Sequence, residues 1–133
     1  MPGIEDIKRI AKVEFADIVK SVQTMGFKIR IILTDKSFID VTVSRTIADK
    51  FGYHWECMDQ EGSIYRYDNF HDQNWKSVET FPYHFHNGTK ECVERSPFPL
   101  NTFDGFRGFM KFVKKKLKNK KNKKYGYFYF GAT

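Results

Sequence analysis

Apolar residues at Ile4, Ile7, Ile10 and Ala11, then Phe15, Ile18, Val19 and Val22, recur at steps of three and four. That is the period of an amphipathic helix, and it predicts one from Ile4 to Met25, closed by Gly26. Within it, Ile18–Val22 also reads as a strand entering the next segment. Beyond Gly26 the pattern becomes β-rich: Phe27–Leu33 and Ser37–Val43, separated by Thr34-Asp35-Lys36, predict a hairpin. Phe51–Met58 and Ser63–Tyr67 predict a second, turning through Asp59–Gly62. After a polar connection from His71 to Glu79, Thr80–His86 reads as a strand, Asn87-Gly88 as its turn and Thr89–Val93 as the return strand. Ser96-Pro97-Phe98-Pro99 interrupts regular structure. Asn101 or Thr102 can then cap a helix from about Phe103 to Lys118, with Phe106, Phe109, Met110, Val113 and Leu117 on its apolar face.

A helix, about six short antiparallel strands and a basic helix packed on the sheet make an α+β fold, expected to form a single domain over residues 1–133. The ending, Tyr125–Phe130, is too aromatic for a free tail and suits a last strand or a partner contact. Fourteen phenylalanines and seven tyrosines supply large packing areas. No apolar run approaches the roughly 18 residues of a membrane span. The charged start, Met1–Lys12, is unlike a signal peptide, so a cytoplasmic protein with no membrane partner is expected. Cys57 and Cys92 lack CxxC spacing and read as reduced packing residues.

The net charge of +7 has one source. Lys114, Lys115, Lys116, Lys118, Lys120, Lys121, Lys123 and Lys124 fall in an acid-free run, which leaves 15 basic against 16 acidic groups elsewhere. Such a run is a candidate RNA-binding segment, because lysines at phosphates release counterions; it also suits an acidic partner, or a solvated helix end.

All four histidines, His54, His71, His84 and His86, lie within 33 residues, together with Arg66 and Asp68. Strand alternation puts His84 and His86 on one sheet face with Phe85 on the other, and likewise Arg66 and Asp68 opposite Tyr65 and Tyr67. If the hairpins meander in chain order, His54, Arg66, Asp68, His84 and His86 converge. This group suits metal-independent RNA cleavage, with His84 and His86 as acid and base, and His54 and Arg66 assisting at the phosphate. Asp68 would orient a histidine or pair with Arg66. Alternatively, His84, His86 and Asp68 form a two-histidine, one-carboxylate site for a divalent metal such as zinc or manganese. A third possibility is a non-catalytic module that binds RNA, the ribosome or a protein. No glycine-rich nucleotide loop, GxSxG elbow or HExxH helix is present, so dehydrogenase, kinase, serine hydrolase and zincin chemistry lacks support.

Three blocks, Tyr53-His54-Trp55, Gly62-Ser63-Ile64-Tyr65-Arg66-Tyr67-Asp68-Asn69 and Thr80-Phe81-Pro82-Tyr83-His84-Phe85-His86, resemble the TumE family of small prokaryotic toxin-like proteins. The resemblance spans roughly Phe27 to Val93, and includes the first hairpin except that Lys36 replaces an expected turn glycine. It implies the toxin of a type II toxin–antitoxin module, neutralised by a small helix-turn-helix antitoxin. By fold analogy it also implies a RelE-like ribonuclease acting on ribosome-associated messenger RNA; the oligomeric state, a homodimer among the alternatives, stays open. The residues that carry the motif are His54, Trp55, Arg66, Asp68, Asn69, His84 and His86. His71 matches a frequent histidine position, but Asp72 follows where a second histidine is expected.

Overall fold

The computed structural model describes residues 3–57 and 62–132, with side chains through Lys120. Helix α1 (Ile4–Glu14) is followed by seven strands: β1 (Val19–Met25), β2 (Lys28–Leu33), β3 (Phe38–Val43), β4 (Phe51–Glu56), β5 (Ile64–Asp68), β6 (His84–Gly88) and β7 (Val93–Arg95). Helix α2 (Thr102–Ala132) ends the chain, and a short 3₁₀ turn, Gln73–Trp75, lies between β5 and β6. Among the described residues the strands form one antiparallel sheet in chain order, β1 to β7. The α+β architecture and the meander expected from the sequence are therefore both present, with one strand more than expected.

That extra strand is β1, and it shortens the first helix. Ile18 and Val19 donate their N–H groups to the Phe15 carbonyl, turning the chain out of α1. Val19 and Val22 then face the same way although they are three residues apart, because the β1–β2 register shifts between Val19 and Ser21. A bulge of this kind converts the two-residue strand period into a three-residue step, which imitates a helix. Gly26, at φ 65°, turns the β1–β2 hairpin instead of closing a helix. The Asn87-Gly88 turn is likewise corrected: both residues belong to β6, opposite Tyr65 and Ile64. The turn falls at Thr89–Cys92, and the return strand is Val93–Arg95. Thr80–Tyr83 form a turn ahead of β6 instead of its first half. The expected Asp59–Gly62 turn lies mostly outside the described residues.

One sheet face carries the core. Ile29, Ile31, Leu33, Ile39, Val41, Phe51, Tyr53, Trp55, Tyr67 and Phe85 are buried there, and α1 and α2 cover them through Ile7, Ile10, Phe106, Phe109, Met110 and Val113. The predicted apolar face of α2 is thus the observed one, with Leu117 partly buried. Asn101 caps it, its Oδ1 accepting from the Asp104 N–H at 2.8 Å. Tyr53 Oη donates to the Thr102 carbonyl and Tyr67 Oη to that of Pro99, fixing the start of α2 over β4 and β5. The helical backbone continues through Tyr125–Phe130, so these residues do not add a strand; their side chains lie outside the described residues. Trp55 and Cys57 are packing residues as expected, whereas Cys92 is exposed. No described helix is long and apolar enough to cross a membrane.

Candidate active site

On the sheet face away from the helices, cross-strand pairing lines up Arg30, Asp40, His54, Arg66 and His86 as direct neighbours across β2 to β6. Asp68 and His84 are the next pair along β5 and β6. All five candidate catalytic residues line one open cleft of about 400 Å³, with Ile64, Phe70, Asp72, Trp75 and Lys90. A hollow of about 480 Å³ near the start of α1 is larger, but no histidine or cysteine lines it. The titratable cluster makes the cleft the candidate site.

Asp68 is the hub. Its side chain is 4% exposed. Oδ1 accepts from the Phe70 N–H at 2.9 Å and lies 3.2 Å from His84 Nε2, while Oδ2 accepts from Arg66 Nε at 2.7 Å. Burial opposes its charge, but the His84 hydrogen bond and the Arg66 and His84 charges outweigh this and hold the carboxyl below its usual range.

The two β6 histidines are biased in opposite directions because their partners differ. His84 Nδ1 is 2.8 Å from the Pro82 carbonyl and its Nε2 faces Asp68, so both nitrogens meet acceptors and the imidazolium is favoured. Burial pulls its pKa down, yet the Asp68 contact wins and the net shift is upward. His86 Nδ1 donates to the Lys90 carbonyl at 2.9 Å, which leaves Nε2 with its lone pair, 4.0 Å from Asp68 Oδ2. Burial, and secondarily the His84 charge, push its pKa down. The Thr89–Cys92 turn thus fixes the tautomer of His86. The two rings meet edge to face at 5.0 Å.

Arg66 uses only Nε on Asp68; its terminal nitrogens make no hydrogen bond among the described residues. The guanidinium rests over Gly52, where a Cβ would stand 2.6 Å from Nη2. His54 flanks Arg66 on the strand opposite to His86, with Nε2 3.4 Å from Glu56 Oε2 and a pKa lowered mainly by burial. Among these predicted residues, the sequence placed the convergence correctly but not its depth: His84 and Asp68 are buried, while His54, Arg66 and His86 reach solvent.

Asn69 is structural, accepting from the Phe51 N–H and donating to the Asp49 carbonyl. His71 is exposed and packs against Phe81, outside the cleft. The lysine run departs from an outward-facing array. Lys114 pairs with Asp17 at 2.7 Å, Lys120 with Asp35 at 3.7 Å, and Lys116 lies over the Tyr65 and Phe112 rings. Lys115 and Lys118 are exposed, and the side chains of Lys121, Lys123 and Lys124 lie outside the described residues. Sequence reasoning missed Gly52, Phe70, Trp75 and Lys90. A glycine inside an otherwise strong strand was the one available signal, since it commonly marks close approach of another group.

Neither curated proteins nor solved structures give a match to this chain. A family model described as Toxin TumE does match, over residues 4–117, a wider span than the hairpin region that carries the motifs and one that takes in α1 and the first half of α2. Toxins of such families act with an antitoxin partner. Because that match covers most of the chain, the chain belongs to the TumE toxin family.

Proposed function

We propose that this chain is an RNA-directed toxin, a metal-independent endoribonuclease that inhibits translation and is neutralised by a helix-turn-helix antitoxin. The observation that carries the reading is the row His54, Arg66, His86 on three adjacent strands. A phosphate held by the free guanidinium nitrogens would lie between two imidazoles set roughly 10 Å apart at the backbone. His86 Nε2, unprotonated, takes the ribose 2′-hydroxyl proton. The oxygen attacks phosphorus, Arg66 stabilises the phosphorane charge, and His54 protonates the departing 5′-oxygen. The acid role goes to His54 in place of His84 because its side chain is the more exposed of the two, 22% against 3%. With Asp68, His84 positions Arg66 and supports the floor of the cleft. Cleavage of a labelled structured RNA in excess chelator tests this. Loss of about 100-fold or more in His86→Ala and in His54→Ala, with unfolding temperatures near wild type, is the expected result. Wild-type rates in either variant would remove that residue from the chemistry.

A second reading rests on one specific observation. Both β6 imidazoles direct Nδ1 to a backbone carbonyl, and their remaining nitrogens and the Asp68 carboxylate can place one ligand atom each within 4.8 Å of one another. That is the outer-shell arrangement of metal-ligating histidines and would suit a metal-dependent phosphodiesterase. Cleavage abolished by chelator and restored by zinc or manganese would select it. Binding of RNA or ribosomes without any product would instead select a non-catalytic module.

A further inference from the structure

The cleft contains two rings and a carboxylate that phosphoryl chemistry does not use. Asp72 caps the Gln73–Trp75 turn, its Oδ1 accepting from the Asn74 N–H at 2.9 Å, while Oδ2 has no partner among the described residues. Trp75 stands against the two β6 histidines, 5.9 Å and edge-on from His86 and 6.4 Å from His84. Unlike Trp55, whose indole N–H is bonded to Ser37 in the core, Trp75 is only half-buried. Phe70 is 37% exposed, with Lys50 and Arg66 cations over its ring at 5.1 and 5.3 Å.

The half-open Trp75 ring, beside a Phe70 that gathers the two cations, fits a planar ligand that carries phosphate, because bases stack on aromatic faces without regard to their edges. The unpartnered carboxylate oxygen adds a choice among bases. Guanine alone of the four presents two adjacent N–H donors, N1–H and the 2-amino group, which Oδ2 and the second lone pair of Oδ1 can accept together. We propose that Trp75, Phe70 and Asp72 form a guanine seat in single-stranded RNA next to the scissile phosphate, which rests on the reading that the cleft acts on RNA.

The test uses the full chain and fluorescently labelled 2′-O-methyl hexanucleotides, which lack the attacking hydroxyl, so binding is measured without cleavage. Oligo-U carrying a central G is compared with the same oligomer carrying A, by anisotropy and by tryptophan emission. Wild-type protein is expected to favour G by about tenfold or more and to show quenched emission. Asp72→Asn, which retains a capping side chain, should erase the preference, and Trp75→Ala should weaken both oligomers together; thermal melting checks that each variant is folded. Equal affinity for G and A in wild type, or a preference untouched by Asp72→Asn, overturns the seat. Cleavage without G preference would leave the nuclease and remove the seat. G-selective binding with no cleavage of natural RNA would do the reverse.

Discussion

Arg66 gives Asp68 only its Nε and, in the proposed mechanism, offers its terminal nitrogens to the phosphate, with Gly52 leaving them room. A methyl at position 52 meets Nη2, the far end of a flexible side chain, rather than backbone. Gly52→Ala should therefore displace the guanidinium at little cost to the fold. An RNA-cleavage loss of tenfold or more, with an unfolding temperature within a few degrees of wild type, is the expected outcome. Lys36 offers the opposite kind of test. It sits at φ 77° in an exposed turn, the left-handed region where a side chain is strained. Lys36→Gly should raise stability by up to about 1 kcal/mol, a few degrees in a thermal melt.

Protonation makes two further residue-level predictions. His54 and His86 both titrate below the ordinary 6.5, so a mechanism needing one protonated and the other not has its rate optimum on the acid side of 6.5, falling as pH rises. A kcat/KM profile in chelator checks this. For stability, His84 is held above 6.5, so its contribution is full below 6.5 and fades as pH rises through its higher folded value. Asp68, held below 3.8, contributes fully above 3.8 and loses this as pH falls through its lower folded value. His54 and His86 act oppositely to His84, favouring the unfolded chain as pH drops below 6.5. The urea stability gap between wild type and His84→Gln should accordingly be larger at pH 5 than at pH 9; a constant gap would mean that the His84–Asp68 contact is not an ion pair.

At the scale of elements, hydrophobic period was a sufficient guide wherever strands were regular. β2 to β5 and the apolar face of α2 were legible because each buries one side with an unbroken period. β1 was not, because its bulge gives Val19 and Val22 helical spacing. Asn87-Gly88 misled for a different reason: the ladder with β5 extends over both residues and moves the turn to the next four. Helix α2 shows how a charge run loses its meaning in context. Lys114 and Lys120 answer acids in the turns after α1 and β2, and the exposed Lys114–Asp17 pair contributes only about 0–1 kcal/mol. Lys115 and Lys118, on the helix layer and thus behind the sheet from the cleft, should matter only to long ligands. Replacing both with alanine should leave cleavage of a short oligonucleotide unchanged and weaken binding of long RNA with a shallower salt dependence. Equal effects on both substrates would place the two lysines at the cleft.

Over the whole molecule, the antiparallel meander separates two vocabularies along the same strands. Tyr53, Trp55, Tyr65, Tyr67 and Phe85 face the helices, while His54, Arg66, Asp68, His84 and His86 face the cleft. Period-two reasoning could assign these faces from the sequence because β4, β5 and β6 carry no bulge there. It could not supply depth, tautomers or the aromatic rim. Those depend on the 3₁₀ turn and the Thr89–Cys92 turn, whose placement is set by tertiary contacts that no local period encodes.

The same separation bears on what an inactive copy of this chain would do inside a cell. His86 is held by its strand, a hydrogen bond to Lys90 and contacts inside the cleft with Asp68, His84 and Trp75, so in the proposed mechanism replacing it would silence the cleft and leave the outer contours intact. A silenced chain made in excess beside the active one would remain a decoy for the antitoxin. It would compete for the antidote and set its active twin loose, turning a harmless allele into a dominant poison.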